Sequence, residues 1–158
     1  MSVPQNKRRA NDEDRVVKQT DLYGLIGYNI KRSYMHIHKD FKATLDEFNL
    51  TQRTFSVLSV VIENPNISQS DVGRALAIER SGTVVIVDEL EQRDLISRDK
   101  APGDRRVHAL NATDKGRAFY AKTLEAVYGH EKRVSKRLSK EERLTLISLL
   151  EKIQGEEI

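Results

Sequence analysis

The chain has 158 residues, of which 38% are hydrophobic and 32% are charged, and its formal net charge at pH 7 is +3. This length suits one domain with one core, and the lean apolar content favours an elongated helical protein that completes its core by dimerising. The absence of cysteine excludes disulfides and thiolate metal ligands and fits a reducing cytosol. Neither a membrane-spanning run nor a signal peptide is recognisable, so we expect a cytoplasmic protein without a membrane partner.

The N-terminal half begins with a predicted flexible tail of mixed charge over residues 1–19. The first helix is predicted over about residues 21–47, because apolar residues recur there at steps of three and four. Such a long stripe indicates packing on a partner chain as well as on the protein's own core. Thr51 is a good N-cap for the second helix, which Pro65 ends, and Ser68 starts the third.

The fourth helix is predicted over about residues 80–92, after a turn at Ala77 and Ile78. We expect Arg80, Ser81 and Thr83 at its start to point away from the core. Its buried face is predicted to consist of Val84, Val85, Val87 and Leu90.

A β-hairpin with a basic tip follows the fourth helix. The β-prone pair Leu95–Ile96 leads into a loop that contains Pro102 and Gly103, and a second short strand covers residues 107–110. Arg105 and Arg106 lie at the tip. A helix-turn-helix followed by such a hairpin is typical of a winged DNA-binding head.

The C-terminal part is predicted to form two further helices. Thr113 caps the fifth, which runs to about residue 138, and Ser139 with Glu142 forms a capping box for the sixth. The sixth helix has six large aliphatic residues among residues 144–153, which exceeds one stripe and indicates contact with another subunit. The predicted fold is therefore mainly helical, with six helices and a small β-hairpin wing. The dimerisation region is expected over 20–50 and 113–158, and the winged helix-turn-helix over 51–112, within one structural domain.

The residues of this head suit contact with double-stranded DNA. Arginine is the side chain best matched to guanine O6 and N7, and arginine at a hairpin tip suits a narrow minor groove, with Asp104 as an orienting partner. Each feature alone also fits an ordinary solvated surface, and it is the order of the elements that favours DNA binding. The candidate DNA-contacting residues are Ser68, Ser70, Arg80, Ser81, Thr83, Arg98, Asp104, Arg105 and Arg106.

Two stretches of this sequence resemble the MarR (multiple antibiotic resistance regulator) family of winged-helix transcription factors. The wing pattern of that family appears as Asp104-Arg105-Arg106 through Thr113-Asp114-Lys115-Gly116, and its upstream pattern appears as Ser68-Gln69, Ile78, Leu90-Glu91 and Leu95-Ile96-Ser97-Arg98. The resemblance as a whole extends over about residues 20–155. The family's usual leucine before Thr113 is Ala112 here, and its usual glycine after the recognition helix is Asp94. Aspartate tolerates the left-handed conformation, so we expect this turn to be kept.

The resemblance implies a homodimeric, ligand-responsive transcriptional regulator, most often a repressor, bound to a pseudo-palindromic operator. A pocket for the effector is expected among helices 1, 2 and 5. A subgroup that controls hydroxycinnamate breakdown has a similar basic tail, which favours an aromatic acid or its coenzyme A thioester as the effector. The candidate ligand-contacting residues are Arg8, Arg9, Tyr23, Tyr28, Arg32, Tyr34 and His36.

Other functions are weighed against this interpretation. The sequence has no nucleophile–histidine–acid set, phosphate-binding glycine loop or metal-binding cluster, so we predict neither an enzyme nor a metal or cofactor. His36 and His38 face different directions on a helix and do not form a shared metal site. A DNA-binding regulator with another effector, an activator, and a helical interaction module that does not bind DNA remain alternatives.

Overall fold

A computed structural model describes residues 21–101 and 104–155, and the side chains of residues 100–108 lie outside that description. The described residues belong to two units that divide between residues 35 and 36. The first unit contains a short 3-10 turn, Leu22–Gly24, and the beginning of helix α1, Ile26–Asp46.

The second unit contains the rest of α1 and all later elements. These are α2 (Gln52–Glu63), β1 (Ile67–Ser68), α3 (Gln69–Ala75), α4 (Arg80–Gln92), β2 (Ile96–Ala101), β3 (Asp104–Ala112), α5 (Asp114–Val134) and α6 (Lys140–Gln154). The predicted fold class, mainly helical with a small β-hairpin, is confirmed. The fifth helix is shorter than predicted, because Ser135 already serves as its C-cap.

Four helices of the second unit begin at the caps that the sequence predicts. The hydroxyl groups of Thr51, Ser68, Thr113 and Ser139 each accept a hydrogen bond from the backbone N–H three residues later. Ser139 also forms the predicted capping box, since its own N–H donates to Glu142 at 2.7 Å. Each cap satisfies N–H groups that the helix itself leaves without an acceptor.

The sheet has three antiparallel strands in the order β1-β3-β2, so it contains one strand more than predicted. Ile67 pairs with Leu110, and Ile96 pairs with Ala112. The Asn111 amide on β3 links the residue before β1 to β2, since it accepts from the Asn66 N–H at 2.9 Å and donates to Asp99 at 3.2 Å. The two-residue strand β1 is too short to show an alternating pattern in the sequence.

The core of the second unit lies between α2, α3, α4 and the base of the sheet. Gly73 permits the close approach of α3 and α4, because a Cβ there would lie 2.9 Å from Thr83 Oγ1 and 3.1 Å from the Ile78 carbonyl oxygen. Asp94 has a φ of 57°, as predicted for the residue that replaces glycine in this turn. The fully buried large aliphatic residues include Val57, Leu58, Val61, Val72, Val87, Leu90 and Leu110.

Arg93 joins the end of α4 to the end of α1. Its guanidinium donates to the backbone oxygens of Phe48 at 3.0 Å and Asn49 at 2.8 Å, and it lies 5.2 Å from the centre of the Phe119 ring. Helix α4 is thereby held at its C-terminal end by contacts with the segment after α1 and with α5.

Within residues 21–101 and 104–155, no helix has the length and hydropathy that crossing a bilayer requires. The same residues hold no group of three or more side chains arranged to bind a metal ion.

Candidate nucleic-acid interface

The start of α4 presents two polar side chains to solvent. Arg80 and Ser81 are both exposed, as the sequence predicts. Thr83 is the exception, since only 1% of its surface is exposed and its hydroxyl donates to the Glu79 carbonyl at 3.1 Å. The prediction that Thr83 contacts DNA is therefore wrong, because this residue packs against Gly73 inside the head.

The predicted buried face of α4 is also partly wrong. The residues buried on this helix are Thr83, Ile86, Val87 and Leu90, whose spacing of three and four residues defines the inner face. Val84 is 37% exposed and Val85 is 66% exposed. The outer face of α4 therefore combines Arg80 and Ser81 with two aliphatic side chains.

The start of α3 is occupied by a local hydrogen-bond network. Ser68 Oγ accepts from the Asp71 N–H at 3.1 Å and donates to Asp71 Oδ2 at 2.7 Å. The hydrogen bond from Ser68 lowers the pKa of the Asp71 carboxyl below its usual value, and Arg74 lowers it further. The predicted phosphate contact of Ser68 is not supported by this arrangement, because capping uses its hydroxyl, whereas Ser70 is exposed and lies beside it.

The wing is formed by the β2–β3 hairpin, in which Lys100 pairs with His108 and Ala101 pairs with Asp104. The strands extend further toward the tip than the sequence predicts, so residues 104–106 begin β3 rather than lie in a loop. The side chains of Asp104, Arg105 and Arg106 lie outside the described part of the structure, and their DNA contacts stay a prediction.

Arg98 connects the wing to α4. It lies on β2, and its guanidinium donates to Glu91 at 2.9 Å and to Asp88, both on α4. Its side chain is only 23% exposed. These two ion pairs position the wing on α4, and the DNA contact of Arg98 stays a prediction.

Aromatic side chains fill the junction of α1, α2 and α5, where the sequence places the effector pocket. Phe41 packs edge-on against Phe55, and Phe55 stacks on Tyr120 with ring centres 5.5 Å apart. The Tyr120 hydroxyl also lies 2.8 Å from Ser59 Oγ. A cavity of the second unit lies nearby without a residue of α5 in its lining, and the predicted location of the effector pocket stays a prediction.

That cavity, of about 630 Å³, lies between α1, α2 and the turn joining α3 to α4. Phe41, Leu45 and Ile78 contribute apolar walls, Arg53 contributes a cationic group, and Lys42 is paired at 2.6 Å with Asp46, which also lines the cavity. Its volume falls within the usual range of about 300–1,000 Å³ for small-molecule sites. The cavity therefore combines apolar walls with one cationic side chain and one ion pair.

The predicted ligand-contacting residues occupy different environments. Tyr23 and Tyr28 pack edge-on, and the Arg32 guanidinium lies 5.2 Å and 5.7 Å from their ring centres. Hydrogen bonding to Tyr23 raises the pKa of Arg32 above its usual value. Tyr34 is exposed. His36 is also exposed and does not line the cavity, whereas His38, two residues later, does. Arg8 and Arg9 lie outside the described residues.

A polar cluster that sequence analysis did not identify joins α1 to α5. His130 is 1% exposed, and its Nδ1 lies 2.6 Å from Asp40 Oδ2. Arg133 donates to the same carboxylate at 2.9 Å and to the Thr44 hydroxyl at 2.9 Å. Hydrogen bonds from Arg133 and then from His130 lower the pKa of Asp40. The separation of 90 positions in the sequence explains why no local pattern marks Asp40 and His130 as a pair.

Comparison with known proteins agrees with the winged helix-turn-helix arrangement of α3, α4 and the hairpin. The family model described as the MarR family matches residues 48–107. A protein of Thauera aromatica named for transcriptional regulation of the hcr operon is 32% identical over 145 residues, which cover 91% of this chain and 87% of that protein.

Solved structures extend the likeness to nearly the whole chain. The repressor CouR bound to a 23-mer DNA duplex is 36% identical, with a TM-score of 0.83 over 89% of this chain and 99% of that one. CouR bound to p-coumaroyl-CoA is 34% identical, with a TM-score of 0.76 over 90% of this chain and 100% of that one. MarR from E. coli, at 20% identity and a TM-score of 0.71, shows the shared fold. This chain therefore belongs to the MarR family of transcriptional regulators, and it is a DNA-binding regulator rather than an enzyme.

Proposed function

We propose that this regulator is a homodimeric repressor that binds a pseudo-palindromic operator and is released by a small aromatic acid or its coenzyme A thioester. The observation that carries the proposal is the outer face of α4. Its N-terminal residues Arg80 and Ser81 are free of the core, while the opposite face is buried and Arg98 fixes the wing to the same helix. Such a helix can enter the major groove as a rigid unit.

In the proposed complex, Arg80 and Ser81 contact base edges and Ser70 contacts a backbone phosphate. Arginine provides two parallel donors for guanine, whereas the serine hydroxyl groups can donate or accept. Arg105 and Arg106 of the wing are proposed to enter the adjacent minor groove, with Asp104 orienting one guanidinium. The Arg98 ion pairs set the distance between these two contacts.

The proposal of a homodimer is supported by the surface of α6. This helix has no buried residue, although large aliphatic side chains on a helix are normally covered. A second copy of the chain would cover them and would place two recognition helices about 34–36 Å apart on one side of the duplex. The exposed aliphatic residues of α6 are Leu144, Leu146, Ile147, Leu149 and Ile153.

The cavity beside α1 is the proposed effector site. The apolar walls suit an aromatic ring, and Arg53 suits a carboxylate or the phosphates of coenzyme A, with Lys42 joining it where a ligand anion displaces Asp46 from their ion pair. CouR, which binds p-coumaroyl-CoA, supports this ligand class. Because Ala77 and Ile78 line the cavity and lie just before Glu79, the N-cap of α4, an occupant that fits only one position of this turn would favour one position of the recognition helix.

The test is binding of the full chain to duplex DNA from the region upstream of its own gene, with and without p-coumaroyl-CoA. We expect nanomolar binding that p-coumaroyl-CoA relieves and free coenzyme A does not. Lys42→Ala with Arg53→Ala should retain DNA affinity and lose the response, whereas Lys136→Ala, an exposed lysine after α5, should retain both. Tight binding that neither p-coumaroyl-CoA nor p-coumaric acid relieves would refute the effector class and keep the DNA-binding proposal.

A further inference from the structure

The outer face of α4 carries an apolar patch that the fold does not use. Val85 is 66% exposed and Val84 is 37% exposed, although valine is among the residues most often found inside proteins. The inner face of this helix is already filled by Ile86, Val87 and Leu90. Packing within the head therefore does not explain why two adjacent valines are present on the exposed face.

The two valines continue the polar surface at the start of the helix. On an α-helix, positions i, i+1, i+4 and i+5 share one side, so Val84 and Val85 lie one turn beyond Arg80 and Ser81. Asp88 lies one turn further, and its carboxylate is paired with Arg98. The patch is thus bounded by a cation on one side and by a neutralised carboxylate on the other.

This position matches one apolar feature of DNA. In the major groove, the C5-methyl group of thymine is the only aliphatic group on a base edge, whereas the other bases present donors and acceptors. A valine placed against a guanine or cytosine edge would leave those polar groups without hydrogen-bond partners, which is unfavourable. Apolar side chains on a recognition helix therefore select thymine by contact and disfavour other bases by desolvation.

We propose that Val84 and Val85 read thymine methyl groups in the operator and make its half-sites selective for A·T pairs next to the base that Arg80 contacts. The inference rests on the proposed role of α4 in the major groove and adds the base preference. Val85 makes the larger contribution, since it presents more surface. Loss of one methyl contact should weaken binding about fourfold per half-site, and about fifteenfold when both half-sites of a dimer are changed.

The experiment first selects duplexes from a random-sequence library with the full-length protein. Each conserved thymine of the selected duplex is then replaced by deoxyuridine, which removes only the methyl group. The wild-type protein should lose about fourfold at one thymine of each half-site. Val85→Ala changes both subunits of the dimer, so it should bind the parent duplex about fifteenfold more weakly, as the wild type does when deoxyuridine replaces that thymine in both half-sites, and it should be insensitive to the replacement.

Two controls separate this proposal from a general loss of binding. Arg80→Ala should bind more weakly and still respond to deoxyuridine, because its valines are intact. Deoxyuridine in the flanking sequence should have no effect. A selected duplex that every deoxyuridine replacement leaves unchanged, or a Val85→Ala protein that remains as sensitive as the wild type, would overturn the methyl contact while DNA binding stands. Failure to select any sequence would instead overturn the proposed DNA-binding function itself.

Discussion

Replacement of Gly116 by alanine tests the junction between the wing and α5. Gly116 is the third residue of α5, and a Cβ there would lie 1.9 Å from the carbonyl oxygen of Leu95, 2.8 Å from its carbonyl carbon and 3.1 Å from its Cα. These are backbone atoms, so no side-chain rotation can relieve the overlap. Either the start of α5 or the backbone leading into β2 must move.

The cost of that movement follows from the hydrogen bonds at this junction. The Leu95 oxygen accepts from the Thr113 N–H at 3.1 Å, and the Thr113 hydroxyl accepts from the Gly116 N–H at 2.9 Å. Overpacking costs about 1–3 kcal/mol, and loss of a cap and a hydrogen bond costs about 1 kcal/mol each. The higher helix propensity of alanine relative to glycine stabilises the folded state by up to about 1 kcal/mol. We therefore expect Gly116→Ala to lower the free energy of unfolding by about 2–4 kcal/mol.

Gly129 supplies the matched control on the same helix. A Cβ there would meet only Arg133 Nη1 at 3.5 Å, which is an ordinary contact. Gly129→Ala should therefore be neutral or stabilising by up to about 1 kcal/mol. Urea unfolding followed by circular dichroism, at one fixed protein concentration, measures both variants. Equal stability of the two variants would refute the backbone overlap at Gly116.

Three further predictions concern charge and DNA contact. Asp40→Asn should lower the free energy of unfolding at pH 7, because Arg133 and His130 lower the pKa of Asp40 in the folded state. The wild type should lose this stabilisation only below about pH 4. Unfolding titrations in which the free energy of unfolding of both proteins has the same pH dependence between pH 7 and pH 3 would contradict this. Arg80→Ala should weaken binding on the order of tenfold at one base step in competition assays, whereas a uniform loss across sequences would make it a phosphate contact. Arg106→Ala should reduce operator affinity without changing the melting temperature, and unchanged affinity would remove its side chain from the mechanism.

The sequence predicts those features that local chemistry determines. Helix starts at Thr51, Ser68 and Thr113 are confirmed, because a hydroxyl residue before an apolar period satisfies N–H groups that lie within three residues of it. The left-handed turn at Asp94 is confirmed for a similar reason. These features need no information about distant parts of the chain.

The orientation of α4 could not be read reliably from its sequence. Four consecutive aliphatic residues, Val84 to Val87, fit more than one helical face, and the deciding residue is Thr83. It is buried because Gly73 on α3 leaves room for it, a relation between two helices that neither helix reveals alone. The error matters for function, since the true orientation exposes Val84 and Val85 beside Arg80.

Long-range contacts at the site are the features that the sequence could not predict. The aromatic rings of Phe41, Phe55 and Tyr120 pack together from three helices and fill the place predicted for the effector. Arg98 is a residue type that often contacts DNA, and its ion pairs with Glu91 and Asp88 on α4 are visible only in the folded structure. Tertiary packing decides such cases.

The salt dependence of DNA binding tests the central claim most directly. Affinity of the full-length protein for the selected duplex is measured by fluorescence anisotropy from about 50 to 200 mM salt. If α4 and the wing bind DNA by neutralising phosphates, the logarithm of the association constant should fall linearly with the logarithm of salt concentration, by about a thousandfold over this range. Binding that is absent, or that salt leaves unchanged, would contradict the account and favour a helical interaction module.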